Sequence, residues 1–294
     1  MRTLVVTGAD DAYLPLLRGL LGSLRQWAPQ PFTALACLDL GLQPANREWL
    51  AGQVDHVAVP GWDLPVAAHL RAAKPHLRGL TARPFLRDYF PGYELYLWLD
   101  SDAWVQERYA LERLAAAARD GDIALVTEHD PAYPPQAAAA EWRAWHLRTC
   151  FGEAAAVRRA EGDYFNAGVF ALRAGAPHWA LWARYFRAGL DATGGAVCCD
   201  QTALNHLLAM GAAGVRALPA RCNWLCHLGA PSYDAGQGKF CEPVAPHRPL
   251  GILHLTGHAR TDGIVMQGPG MRRTMRAHFP GAGRRPEMVS VPQE

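Results

Sequence analysis

Five consecutive apolar residues, Leu95-Tyr96-Leu97-Trp98-Leu99, run straight into Asp100-Ser101-Asp102. A short run with no polar interruption reads as a strand buried on both faces, which belongs in a mainly parallel sheet covered by helices. Period-two geometry puts Asp100 and Asp102 on the same side of the extended backbone. Two carboxylates so placed suit a hard divalent cation and leave coordination positions for phosphate oxygens. Asp-x-Asp is also common in loops, so the pair alone reads equally as a strand-end turn.

The surrounding pattern supports the sheet. Thr3 to Gly8 reads as a buried strand, broken at Gly8-Ala9-Asp10-Asp11, and Leu14, Leu17, Leu20, Leu21 and Leu24 follow at helical spacing. Further strands are expected over 32–38, 54–59, 95–99, 123–127, 165–172, 215–218 and 252–255. Helices are expected over 46–50, 83–90, 141–151, 178–190 and 200–210, the last with Asp200 as N-cap. Alternation of this kind predicts an α/β, Rossmann-like single domain with a mixed, mainly parallel sheet. Ligands then bind beyond the carboxyl ends of the strands, where Asp10 and Asp100 both lie. Residues 1–262 are assigned to this domain and 263–294 to a C-terminal extension, partly helical and then frayed from about Gly281, where Gly, Pro and Arg accumulate.

Charge and cysteine usage exclude several classes. The 294 residues carry a net charge of only +2, too weak a field for nucleic acid or acidic membranes. No apolar run approaches the ~18 residues of a membrane span, and the opening strand is too short for a signal peptide. Seven cysteines without a Cys-x-x-Cys pair fit a reduced, cytoplasmic protein. Nearly all basic residues are arginine, with lysine only at Lys74 and Lys239; with the abundant alanine this suggests a bacterial origin.

Five segments in sequence order carry a resemblance. They are Thr7-Gly8-Ala9-Asp10-Asp11-Ala12-Tyr13; Arg83 ahead of Leu99-Asp100-Ser101-Asp102; Phe165-Asn166-Ala167-Gly168-Val169; Asp200-Gln201-Thr202-Ala203-Leu204-Asn205; and Ile252-Leu253-His254-Leu255-Thr256-Gly257. Together they resemble the retaining glycosyltransferases of family 8, which include glycogenin and bacterial lipopolysaccharide glucosyl- and galactosyltransferases. The resemblance implies a GT-A fold, a UDP-sugar donor of glucose or galactose type and a carbohydrate or other hydroxyl acceptor. It implies Asp100, Asp102 and His254 as ligands of Mn²⁺ or Mg²⁺, a donor set whose chemistry agrees. Nucleotide binding falls to Gly8, Asp10, Tyr13, Arg83, Gly257 and Arg260, with Asp10 at the uracil edge and Tyr13 stacked on the base. Arg83, Asn166, Ala167 and Asp200 become donor-sugar contacts. Gln201 sits beside the anomeric carbon, and Asp200 and Gln201 are the catalytic candidates. Glutamine is a poor nucleophile, which favours a front-face displacement in which the departing phosphate oxygen helps deprotonate the acceptor. Two departures stand out: Arg260 replaces the family's lysine, in the run His258-Ala259-Arg260-Thr261, and Ala12 replaces a commonly polar residue.

Plainer readings compete at single positions. His254 reads as a core histidine, Tyr13 as helix-start packing, Asp200 as a cap only and Arg260 as a surface charge. Trp142, Trp145, Trp179 and Trp182 read as core packing at i, i+3 spacing, with one or two as a sugar platform in the alternative. Cys222, Cys226 and His227 invite a zinc reading, but with unusual spacing and no second pair. The rival functions are a haloacid-dehalogenase-like phosphatase, a sugar nucleotidylyltransferase and a catalytically weak nucleotide-sugar-binding module. The acceptor is not specified, and loops 128–133 and 222–240 are the segments expected to form its site.

Overall fold

The computed structural model describes residues 1–27, 30–135, 137–160, 162–257, 259–266, 275–278 and 287–290. Its strands, in chain order, are β1 (Thr3–Ala9), β2 (Ala34–Asp39), β3 (His56–Ala58), β4 (Leu95–Leu99), β5 (Ala103–Val105), β6 (Ile123–Thr127), β7 (Phe165–Arg173) and β8 (Val215–Leu218). They continue with β9 (Trp224–Leu225), β10 (Ser232–Asp234), β11 (Lys239–Cys241), β12 (Ile252–His254), β13 (Ile264–Met266), β14 (Met275–His278) and β15 (Glu287–Ser290).

Seven strands form the central sheet in the order β3-β2-β1-β4-β7-β6-β8. Every neighbouring pair is parallel except those made by β7, which runs antiparallel to β4 and β6. The expected mixed, mainly parallel sheet is therefore present. Strand β4 shows why its residues are apolar throughout: Tyr96 and Trp98 face one core, with Phe170, Trp179 and Trp182, while Leu95, Leu97 and Leu99 face the other, with Leu17, Leu20 and Leu24. Alternate residues of one strand thus serve both layers.

The helices follow from local pattern. Leu14–Arg25 buries Leu14, Leu17, Leu20, Leu21 and Leu24 on one stripe. His178–Ala192 buries Trp179, Trp182, Phe186 and Leu190. Trp142 and Trp145 depart from the core expectation: both lie exposed on Ala137–Phe151, which turns Arg143, Leu147 and Cys150 inward instead. The expected helix 83–90 is split into a 3₁₀ turn, Arg83–Phe85, and a short helix, Leu86–Tyr89. Pro84, at the start of the turn, supplies no N–H.

Strands β5, β12 and β9 make a second, three-stranded sheet. Strand β12 lies antiparallel to β5, with His254 opposite Ala103, and parallel to β9, with His254 opposite Leu225. Trp104, Trp224, Leu253 and Leu255 build a third core under it, which also buries Ile264 and Ala277. The described residues beyond 262 are strand rather than the expected partial helix: β13, β14 and β15 pair antiparallel. The β-branched Ile264-Val265 pair favours that pairing. The end expected to fray falls largely in 279–286 and 291–294, outside the described residues. No described helix is long and apolar enough to cross a membrane.

Candidate active site

The carboxyl ends of β1 and β4 open onto one pocket of about 650 Å³. Gly8, Asp10 and Tyr13 line it from the β1 side, Arg83, Asp100 and Asp102 from the β4 side, and Arg260 from the chain after β12. At Gly8 a side chain would press on β2, since a Cβ would lie 3.3 Å from Leu38 Cβ. Asp10 accepts the Tyr13 backbone N–H (3.1 Å), which shapes the turn into the first helix. The Tyr13 hydroxyl contacts Arg260, whose guanidinium carbon lies 5.6 Å from the ring centre and whose Nη1 is 3.8 Å from Asp102 Oδ2. Gly257 does not line the pocket; with φ +64° it turns the chain between His254 and Arg260. His258 lies outside the described residues.

Asp100, Asp102 and His254 offer ligand atoms within 4.8 Å of one another, the one group of this kind among the described residues. Pairing of β12 with β5 brings His254 across 152 positions to Asp102, with Nε2 3.0 Å from Oδ1 and 3.7 Å from Asp100 Oδ2. On the far side of the ring, Nδ1 lies 3.2 Å from Asn223 Oδ1. An amide oxygen only accepts, so Asn223 fixes the proton on Nδ1 and directs Nε2 at the carboxylates. Burial works against charge on both partners. Their attraction prevails, holding His254 above the usual imidazole range and Asp102 below the usual carboxylate range.

Space is reserved there as well. A Cβ on Gly168 would lie 2.4 Å from His254 Cε1 and 2.5 Å from Asp100 Oδ2. The donor set is two carboxylates that line the pocket and one imidazole oriented by Asn223, and it fits a divalent cation.

Arg83 ties this cluster to the sugar-side candidates. Its guanidinium bonds Asp100, donates to Asp200 Oδ2 (2.9 Å) and packs 4.8 Å from the Trp98 ring centre. Trp98 Nε1 donates to the same Asp100 oxygen (2.7 Å). The buried Nε of Arg83 finds no hydrogen-bond partner among the described residues. Asp200 is the first residue of its helix; the cap position belongs to Cys199. Its Oδ1 accepts the Gln201 N–H (2.8 Å), and burial, opposed by Arg83, raises its carboxyl above the usual range.

Asn166, Ala167 and Gln201 come together through hydrogen bonds. Gln201 Oε1 accepts from Ala167 N (2.9 Å) and Asn166 Nδ2 (3.2 Å), while its Nε2 donates to Glu128 Oε1 (3.1 Å). Asn166 Oδ1 accepts from Gly168 N (2.9 Å) and Asn223 Nδ2 (3.0 Å). A continuous chain of bonds therefore joins His254 to Gln201.

Sequence reasoning missed Arg143, and took Glu128 and Asn223 only as parts of acceptor loops. An asparagine beside a cysteine and a tryptophan carries no signal until the fold sets it behind His254. Cys222 and Cys226 are buried in different apolar clusters and His227 contacts Thr256, so they do not converge on a metal.

No protein-family model matches the chain, and no curated protein matches it. Solved structures do. The chain is similar to a galactosyltransferase, LgtC, determined with donor and acceptor sugar analogues: 18% identity over 87% of this chain and 88% of that one, TM-score 0.57. It is also similar to the bifunctional glycosyltransferase WbbM, at 16% identity over 87% of this chain and 46% of that one, TM-score 0.53. For mouse xyloside xylosyltransferase 1 the identity is 14% over 86% and 97%, with TM-score 0.51. The mostly parallel sheet flanked by helices matches the GT-A fold of these glycosyltransferases.

Proposed function

We propose that this chain is a metal-dependent glycosyltransferase of the family 8 kind, moving a hexose from a UDP-sugar to an acceptor hydroxyl with retention of configuration. One observation carries the reading: Asp100 and Asp102, clustered with His254, border the same pocket as Asp10, Tyr13 and Arg260, and Arg83 links that pocket to Asp200. In this reading residues 1–262 are the catalytic unit and 263–294 an extension. Seven unpaired thiols suit a cytoplasmic setting.

Asp100, Asp102 and His254 would hold Mn²⁺ or Mg²⁺. Bound there, the ion would neutralise charge on the departing diphosphate. The chain's own groups do the rest. Tyr13 stacks on the base and Asp10 accepts from its edge. Arg260 leaves Tyr13 for the diphosphate, and Gly257 gives its loop the turn this requires. Arg83 and Asp200 hold sugar hydroxyls, with Asn166 and Ala167 along the same wall. Gln201 lies beside the anomeric carbon, and catalysis rests on positioning and electrostatics. The acceptor enters past residues 128–133, where a second open cavity is lined by Glu128, Asp130 and Tyr133.

The test is a thermal-shift screen of UDP, UDP-glucose and UDP-galactose with and without Mn²⁺, followed by release of free sugar from the donor that binds. Metal-dependent stabilisation with slow hydrolysis supports the transferase. Stabilisation without turnover supports a binding module, and no metal-dependent shift with any donor defeats the proposal.

A further inference from the structure

Arg143 lies outside every role assigned so far, and Glu128 has been given only a place in the acceptor cavity. Glu128 follows β6 directly and Arg143 comes from the Ala137–Phe151 helix, and both are buried. Arg143 donates from Nε (2.9 Å) and places Nη2 2.7 Å from the same oxygen, Glu128 Oε2. Glu128 Oε1 receives Gln201 Nε2 (3.1 Å) and Asn166 Nδ2 (3.3 Å). Every neighbour bonded to this carboxylate is a donor, an arrangement that suits the ionised form.

The donors also share one direction. His254 Nδ1 gives to Asn223, Asn223 to Asn166, and Asn166 to Gln201 and Glu128. Glu128 is the terminal acceptor, and Arg143 supplies its counter-charge. A Gln201 amide flipped end for end would set its oxygen against the carboxylate and its NH₂ against the Ala167 and Asn166 donors, breaking three bonds at once. In the arrangement held, two donors already occupy Gln201 Oε1, and Nε2 is the end of the amide that donates.

We propose that Glu128 and Arg143 are positioning residues that lock the Gln201 amide, so that Gln201 meets the donor sugar as a hydrogen-bond donor and not as an oxygen nucleophile. Burial raises the Glu128 carboxyl above the usual carboxylate range, and Arg143 is the main group opposing that rise. The role in turnover rests on the transferase reading above; the locking of the amide does not.

The experiment uses the full chain with ¹⁵N-labelled glutamine side chains, the Gln201 NH₂ signals being assigned by their absence in Gln201→Glu. In the parent protein one Gln201 amide proton should exchange slowly. In Arg143→Met that proton should exchange at least about 10-fold faster, while UDP and Mn²⁺ binding stays within about 2-fold. Hydrolysis of the UDP-sugar should lose about 100-fold in kcat with KM unchanged, the scale expected for a misplaced active-site group. Arg143→Lys keeps the charge without the fork, and should recover part of both the protection and kcat. Should Arg143→Met fail to fold, Arg143→Lys still decides through its intermediate exchange rate. An unchanged Gln201 amide in the folded variant overturns the proposal. A responsive amide in a protein that hydrolyses no UDP-sugar overturns the transferase reading and leaves the positioning intact.

Discussion

Asn223 Oδ1 sits 3.2 Å from Nδ1 of His254, so a residue with no carboxylate or thiol of its own decides which nitrogen of the histidine faces Asp100 and Asp102. Removing such a partner leaves the ligand in place but frees its orientation. Asn223→Ala is expected to weaken Mn²⁺ binding by about 10- to 100-fold with the fold retained. Isothermal titration with Mn²⁺ in the presence of UDP checks this, and affinity within about 2-fold of the parent would contradict it.

Gly168 fills a different need. Its missing side chain leaves room for His254 and Asp100, which a Cβ would approach to 2.4 and 2.5 Å. Gly168→Ala should displace the imidazole or the carboxylate, abolishing measurable metal binding at a stability cost of about 1–3 kcal/mol. Urea denaturation gives the cost and the metal titration gives the loss. Undiminished metal binding would show that the strand can shift to accommodate the methyl group.

Arg83 stands between two carboxylates, Asp100 and the nearly inaccessible Asp200. Arg83→Met leaves both without their counter-charge and should destabilise the protein by about 3–5 kcal/mol, the range for breaking a buried pair by removing one partner. The double change Arg83→Met with Asp200→Asn should recover a large part. A double variant no more stable than the single one would count against the pair as the cause.

The His254–Asp102 pair makes stability of the metal-free protein depend on pH. His254 is raised, so its contribution is complete below the unfolded value near pH 6.5 and is lost as pH rises through the raised folded value. Asp102 is lowered, so its contribution is present above about pH 3.9 and is lost as pH falls through the lowered folded value. In chelator, the melting temperature should therefore drop as pH rises above about 6.5, and His254→Asn should flatten that drop. Metal binding releases the imidazole proton, so Mn²⁺ affinity should run the opposite way and strengthen with rising pH. Thermal melts and titrations in buffers of different ionisation enthalpy separate the two trends.

Much of the arrangement is legible in the chain. The run Leu95–Leu99 announces a doubly buried strand, and its abrupt end announces Asp100 and Asp102 at a sheet mouth, because residue alternation and apolar continuity are local properties. Asp10 and Tyr13 follow from the same logic at the end of β1. The antiparallel β7 is not legible, since a continuously apolar strand looks the same in either direction. The exposure of Trp142 and Trp145 is hidden too. The i, i+3 spacing identifies a helical face without saying whether anything packs against it.

The sequence by itself determined the layered α/β sheet and the aspartate pair at the carboxyl end of one of its strands, through period, apolar run length and the chemistry of adjacent carboxylates. Only the tertiary structure decided what completes the site. His254 reaches Asp102 through a three-residue strand pairing, Asn223 comes to lie behind its ring, and the Ala137–Phe151 helix brings Arg143 to Glu128. Those contacts join residues far apart in the chain. Their stability depends on burial, direction and the satisfaction of each polar group, none of which a linear spacing encodes.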